Sequence, residues 1–186
     1  YVASVPLLGF RPFPLDDPWN RVVKRVLDLV ASALLMIFFS PIFLLSVIGI
    51  KLSDGGPIFF SQERVGQDGR HFKIYKFRTM RVEAERETGP VWAKRDDDRC
   101  TTVGRFLRRF NLDELPQFWN VLRGEMSLVG PRPERPHFVD QFRSEVPRYM
   151  ARHKVKSGIT GWAQVNGLRG NTSLQERVKY DLYYME

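Results

Sequence analysis

Cysteine is nearly absent from this chain: Cys100 stands alone. A single thiol builds no disulfide framework and no cysteine-rich zinc site, and it agrees with a reducing, cytoplasmic location. Histidine is scarce as well. His71, His137 and His153 are scattered without ligand spacing, so surface or core roles are expected rather than metal ligation. No GxxxxGK[ST] loop occurs, which excludes a P-loop enzyme, and no dinucleotide glycine fingerprint follows a strand. Internal repeats are absent, and so is an initiating Met. The chain stops inside a helical pattern and reads as part of a longer protein. Negative charge is the minority: 21 Asp and Glu stand against 29 Lys and Arg, a formal +8. That excess suits an anionic partner, whether nucleic acid, an anionic membrane surface or a phosphorylated substrate. The 186 residues suffice for one domain with a real core.

What is present begins with a long apolar run, residues 26–50, VLDLVASALLMIFFSPIFLLSVIGI. About 25 residues reach across a bilayer core as a helix. It is too long for a signal peptide, has no clear cleavage site and lies behind an arm. Pro41 sits mid-run and cannot donate to the carbonyl of Ile37, so a bend is expected there. Ser40 is placed to satisfy a freed backbone group. Cations flank both ends: Arg21, Lys24 and Arg25 before, Lys51, Arg64 and Arg70 after. The positive-inside bias then puts both ends on one side. A hairpin entering one leaflet and returning, and a kinked span, both remain open; a buried core helix is the third reading. Asp28 is costly in lipid unless paired, and Lys24 and Arg25 are the expected partners. Residues 1–20, rich in Pro, Phe and Trp, read as an extended connector arm, with Trp19 a candidate interface anchor.

The second feature is Asn111-Leu112-Asp113-Glu114-Leu115-Pro116-Gln117-Phe118-Trp119-Asn120. Two adjacent carboxylates follow a run of arginines and precede an apolar helix pattern. Pro116 is tolerated in a first helical turn. With Asp113 as N-cap, its carboxylate would sit at the positive end of a helix, where phosphate also binds. An ionised carboxylate ringed by cations can accept a phosphoryl group or ligate a metal. Alone, the dipeptide reads better as an ordinary capping Asp. Its surroundings add Lys76, Arg78, Arg108 and Arg132, each at a turn or helix end where a ligand is within reach. Singly, each reads as a surface charge. Together with Asp113 and Glu114 they supply parts for phosphoryl transfer: neutralising cations, a carboxylate nucleophile and a place for Mg2+.

Other elements follow in order. Ile58-Phe59-Phe60 reads as a short strand, Asp68-Gly69 as a hairpin turn, and His71 to Phe77 as a strand whose Lys73 and Lys76 make one face basic. Residues 81–99 read as a charged loop or short helix. Thr102 to Phe110 gives a basic amphipathic helix, for a membrane surface or a solvated face over a core. The helix from Asp113 to Arg123 is expected to end at Gly124. Gly130-Pro131-Arg132-Pro133 is a rigid loop presenting one arginine. Residues 134–153 form a helix that Pro147 can split. Residues 158–167 read as an irregular glycine-rich loop, and Thr172 with Gln175 as a capping box opening the last helix.

These residues carry a resemblance over nearly all of 20–186. It rests on Lys24-Arg25-Val26-Leu27-Asp28, Ser40-Pro41, Gly56 to Gly66, Phe72 to Met80, Leu112 to Gln117, Met126 to Pro133 and Gly158 to Gly167. The chain resembles the catalytic domain of the bacterial monotopic phosphoglycosyl transferases, the polyprenyl-phosphate sugar-1-phosphate transferases. The resemblance implies an α+β fold: a re-entrant membrane helix hairpin broken at Ser40-Pro41, interfacial amphipathic helices and a small β-hairpin. Residues 1–20 would be the connector arm, 21–52 the re-entrant segment and 53–186 a catalytic domain facing the cytoplasm at the bacterial inner membrane. It implies transfer of a sugar 1-phosphate from a UDP-sugar to undecaprenyl phosphate, releasing UMP, at the start of exopolysaccharide or other glycoconjugate assembly. Asp113 would form a phosphosugar–aspartyl intermediate, Glu114 would serve as base or, with Asp113, as Mg2+ ligand, and Arg108 and Arg132 would hold phosphates. The segment Gly167 to Ser173 resembles members that transfer glucose 1-phosphate; galactose 1-phosphate and an N-acetylated sugar are the alternatives. One departure stands out. The family shows Arg-Pro where this chain has Lys156-Ser157, and Lys lacks the bidentate fork, which counts against a phosphate role there. Membrane lipid is an expected partner and a homo-oligomer is left open. A non-catalytic membrane adaptor and a nucleic-acid binder are the rival classes, and nucleic acid is not expected as a partner.

Overall fold

A computed structural model describes residues 14–82, 84, 97–170 and 172–185. The arm expected over 1–20 lies outside these residues up to 13, as does most of the loop expected over 81–99. Helix α1 runs Pro18–Phe38 and α2 runs Ser40–Asp54. The helix therefore starts inside the expected arm. Asp17 accepts a hydrogen bond from the Trp19 N–H at 2.7 Å and Pro18 takes a first-turn position, where a missing N–H costs nothing.

The break falls at Phe39, and the two helices bend by 59°. Ser40 Oγ donates to the Ile37 carbonyl at 2.7 Å, the acceptor that Pro41 cannot serve. Among the described residues no single helix is long and apolar enough to cross a membrane; the bent pair reaches that length and hydropathy together. Its outer surface exposes Leu27, Leu34, Ile37, Phe38, Leu45 and Leu52.

The inner face of α1 is polar. Lys24 lies 3.4 Å from Asp28 and donates to Ser127 Oγ at 2.6 Å, while Asp28 accepts from the Leu128 N–H at 3.1 Å. Arg25 does not join Asp28 as expected. Its guanidinium donates to the carbonyls of Val121 and Leu122 at 2.6 and 2.8 Å, acceptors in the last turn of a helix, where carbonyls lack i+4 donors. The helix they end is α4, Gln117–Arg123, which closes on Gly124 at φ +83° as expected.

The mixed α+β class and the small β-hairpin are as expected. β1 spans Phe59–Val65 and pairs antiparallel with β2, His71–Phe77, from Phe59 opposite Phe77 to Val65 opposite His71. Its strand outruns the apolar stretch because an exposed two-stranded ladder needs backbone pairing, not apolar side chains. Lys73 and Lys76 do not share a face: residues three apart on a strand point to opposite sides, so Lys73 is exposed and Lys76 faces inward. α3, Thr102–Arg109, is capped by Thr101. A side chain at Gly104 would collide with the Thr79 backbone, so glycine lets α3 lie directly on the end of β2. Leu107 turns inward to Ile50 and Phe77, and Phe106 and Phe110 are left outward.

β3, Ser127–Val129, pairs parallel with β4, Gly158–Thr160. β4 and a one-turn helix α6, Trp162–Val165, replace the irregular loop expected there. The helix expected over 134–153 is split as foreseen near Pro147, into α5, Pro136–Glu145, and a 3-10 segment Tyr149–Lys154. The last helix, α7, covers Leu174–Tyr183. Its cap is Ser173, accepting from the Glu176 N–H, and not Thr172 with Gln175. Thr172 Oγ1 is instead used by Arg177 Nε at 3.0 Å. One core cluster joins α5, the 3-10 segment and α7 through Phe142, Tyr149 and Val178, and another lies between β2 and α4 around Ile74, Val121 and Met126.

Candidate active site

The acidic pair sits in a turn of its own. Asn111 adopts the left-handed conformation, φ +54°, and a 3-10 turn Leu112–Glu114 follows, closed by Leu115 N–H to Leu112 O at 3.2 Å. The cap position of α4 is Pro116, so Asp113 is not the N-cap of that helix. Asn111 starts a tight turn before the helix can form, and the dipole argument for Asp113 falls with it. Buried Asn120 fixes the distance to the hairpin: it accepts from Tyr75 N–H at 3.1 Å and donates to Lys73 O and Glu125 Oε2, both at 2.7 Å. This brings Lys76 of β2 over the turn.

Lys76, Asp113, Glu114 and Arg132 meet. Glu114 Oε1 accepts from Lys76 Nζ at 2.7 Å and from Arg132 at 2.6 Å, while Oε2 has only a 3.3 Å contact with Arg132. Burial works against the Glu114 charge, but Arg132 and Lys76 outweigh it and hold the carboxyl far below the usual range. Burial likewise lowers the Lys76 ammonium, opposed by Glu114. Asp113 is only 9% exposed, and among the described residues no hydrogen bond or ion pair reaches its carboxylate. Its pKa is raised, by desolvation first, against the pull of Lys76 and with the Glu114 charge adding to the rise. Two neighbouring carboxylates are thus driven apart: two cations favour the charged form of Glu114, whose Oε1 is doubly bonded, while Asp113 is unpaired and more basic.

Arg132 is held from behind by groups the sequence reading missed. Arg152, fully enclosed, donates to the Arg132 carbonyl at 2.8 Å and pairs with Asp181 at 2.8 Å; Arg64 donates to Pro133 O at 3.2 Å. No periodicity marked Arg152. Asn120 was inside the singled-out stretch, and a polar residue on the inward face of an apolar helix was the available signal.

Arg108 and Arg78 line the same cavity without joining the cluster. Arg108 donates to Cys100 Sγ at 2.9 Å and acts on Asp113 through its charge alone. Arg78 is tied to Asp54 at the end of α2 through Nη2 and packed against Gly56, while its buried Nε and Nη1 have no partner among the described residues. Lys156 lies beside Arg25 and Asp28, away from the cavity lining. The cavity holds about 900 Å³, enough for a nucleotide-sized ligand. Among the described residues no three His, Cys, Asp or Glu converge as a metal cage. Asp113 and the lightly used Oε2 of Glu114 still fit Mg2+, which keeps several waters and takes one or two carboxylates plus substrate phosphates.

A cation-lined cavity around one unpaired carboxylate, beside an apolar bent helix pair, has the chemistry that suits a phosphorylated ligand. The chain belongs to the bacterial sugar transferase family, whose model matches residues 19–186. It is 46% identical over 186 residues to an Escherichia coli (strain K12) protein named UDP-glucose:undecaprenyl-phosphate glucose-1-phosphate transferase, covering 98% of this chain and 40% of the relative. A Caulobacter vibrioides protein of the same name is 47% identical, over 98% of this chain and 70% of its own length. An Aeromonas hydrophila protein named UDP-N-acetylgalactosamine-undecaprenyl-phosphate N-acetylgalactosaminephosphotransferase is 45% identical, over 92% and 41%. The chain thus spans about two fifths of the Escherichia coli and Aeromonas relatives.

Proposed function

We propose that this chain carries the catalytic domain of a phosphoglycosyl transferase, moving glucose 1-phosphate from UDP-glucose to undecaprenyl phosphate. The observation that carries the reading is the unpaired, buried Asp113 beside a Glu114 held by two cations. A carboxylate with no partner is a nucleophile in waiting. An Asp113 oxygen attacks the β-phosphorus; the bond from that phosphorus to the bridging oxygen breaks, and UMP leaves with the oxygen. A phosphate oxygen of the lipid then attacks the same phosphorus. The aspartyl–phosphorus bond breaks, the carboxylate is restored and the lipid carries the phosphosugar. Arg132 and Lys76 neutralise charge on the transferred group, with Glu114 fixing both, and Arg108 faces the same space. Mg2+ held by Asp113 and Glu114 would supply further charge neutralisation on the diphosphate.

The bent pair α1–α2 acts as a re-entrant anchor, placing residues 53–186 on the cytoplasmic face of the bacterial inner membrane. Its outward apolar surface, the Ser40 bond at the break and cations at both flanks support this. A monotopic anchor also brings a wet donor and a lipid acceptor to one interface. Assembly of exopolysaccharide or another glycoconjugate would begin with this step. The Aeromonas relative's name favours an N-acetylhexosamine 1-phosphate as second reading. UMP release from a panel of UDP-sugars, with undecaprenyl phosphate and Mg2+, tests class and sugar together. UDP-glucose should be preferred, and trapping the phosphosugar on a residue other than Asp113 would overturn the reading.

A further inference from the structure

The cavity has two ends of different character. At one end Phe59 and Phe77 line it while packing on Phe43 of α2, with ring centroids 6.0 and 4.7 Å from it, so this end abuts the apolar helix pair. Elsewhere its wall includes Phe138 of α5 and, from β4, α6 and the turn after it, Ile159, Thr160, Gln164, Leu168 and Arg169. Phe138 stacks on Phe142 of the α5–α7 core, 5.8 Å between centroids and 11° between planes, and Ile159 packs on the β2–α4 core, so this wall stands on the globular part of the chain. On the UDP-sugar reading a polyprenyl phosphate would reach Asp113 past Phe59 and Phe77, beside the apolar helix pair, which leaves the β4–α6 wall for the nucleotide.

That wall has a chemical preference. Gln164 is 7% exposed; its amide donates to Ile159 O at 3.3 Å, and Oε1 has no partner among the described residues. A buried acceptor without a donor is unfavourable, and a donor on a bound ligand is one way to satisfy it. Uracil offers an N3–H donor between two carbonyl acceptors. Thr160 and Arg169 carry donors for those carbonyls, and Ile159 and Leu168 are apolar neighbours for a flat ring on the same wall. Cytosine presents an acceptor at N3 and would leave Oε1 unmet. We infer that the β4–α6 wall of the cavity is the nucleobase subsite, with Gln164 the residue selecting uracil. The inference rests on the UDP-sugar reading above.

The test uses the full-length protein in nanodiscs. Gln164→Leu should raise the KM for UDP-glucose about tenfold or more and weaken inhibition by UMP in parallel, leaving the KM for undecaprenyl phosphate unchanged. Its advantage for UDP-glucose over CDP-glucose should fall by a similar factor. Photolabelling of the unaltered protein with 5-azido-UDP-glucose guards against a misfolded variant; the label should fall in residues 136–145 or 158–170 and be displaced by UMP. Label on α3 or α2, or an unchanged UDP-glucose KM in a variant that still turns over, overturns the subsite while the transferase reading stands. No UMP release and no UMP-displaceable label in the unaltered protein would instead remove the transferase reading, and the subsite with it.

Discussion

Arg152 with Asp181 forms one buried charge cluster, and Lys76, Asp113, Glu114 and Arg132 form the other. Both are built from the same residue types, and Arg132 joins them, its carbonyl to Arg152 and its guanidinium to Glu114. In the first cluster the charges are matched. Arg152 meets Asp181, the Tyr149 hydroxyl at 3.2 Å and the Arg132 carbonyl. In the second, Glu114 takes two cations, the Arg132 side chain remains 41% exposed and Asp113 is left unmatched. Burying a charge is costly unless it is paired. A closed cluster therefore serves to hold elements together, and an open one stores reactivity. Substitutions at the two should part company in kind, stability at one and turnover at the other.

The largest separation is expected at Asp113. Asp113→Asn should cut UMP release on the order of 10⁴-fold or more, as loss of a covalent nucleophile does elsewhere. It should also raise Tm at neutral pH, because an unpaired buried carboxylate is replaced by a neutral amide. A variant that turned over normally would dissolve the distinction between the clusters. Asp181→Asn is the mirror experiment. It leaves Arg152 buried without its counter-charge and should cost about 3–5 kcal/mol in urea unfolding. Per folded molecule, turnover should fall far less than at Asp113.

Much of the open cluster was legible beforehand, and little of the closed one. Asp113, Glu114, Lys76 and Arg132 stand out because charges at turns and beside prolines have few structural uses. Ser40-Pro41 was legible because proline's missing N–H has a defined victim, the Ile37 carbonyl. Arg152 and Asp181 are 29 residues apart on segments that only the tertiary fold brings together, so no local pattern reports them. Asp113 as a helix cap failed for a local reason: Asn111 adopts a left-handed conformation that one sequence does not disclose. Arg78 looked like Arg132 in sequence. Only packing revealed that Asp54 already claims it.

Glu114→Gln sharpens the contrast, since Glu114 belongs to the open cluster by place and to the closed kind by wiring. Its lowered pKa means that its ion pairs contribute stability above the unfolded carboxyl's pKa and lose it as pH falls through the folded value. Removing the charge leaves Lys76 and Arg132 facing each other. Both quantities should drop: stability by about 2–3 kcal/mol, discounted because Arg132 can turn toward water, and kcat by about 10²–10³-fold. Loss of activity with full stability would show that Glu114 is not the strut that its two short bonds suggest.

A last test, with no change in turnover to read, runs the comparison through pH. His153 sits beside Arg152 and is 5% exposed; burial first and the Arg152 charge second lower its pKa from 6.5 to about 4. A depressed histidine pKa means that folding favours the neutral ring. That contribution is whole above pH 6.5 and is lost as pH falls toward 4, up to about 3 kcal/mol from a shift of this size. Asp113 has the opposite sign. Its raised pKa favours the protonated form in the fold, so its contribution is present below the unfolded value near 3.9 and is lost as pH rises through the folded value. Urea titrations between pH 4 and 7 on His153→Gln and Asp113→Asn should therefore diverge. The histidine variant should lose less stability than the parent on acidification, and the aspartate variant's advantage should shrink in the same direction. Parallel curves would mean that the two charge environments are alike, and the division between a matched cluster and an open one would have no energetic content.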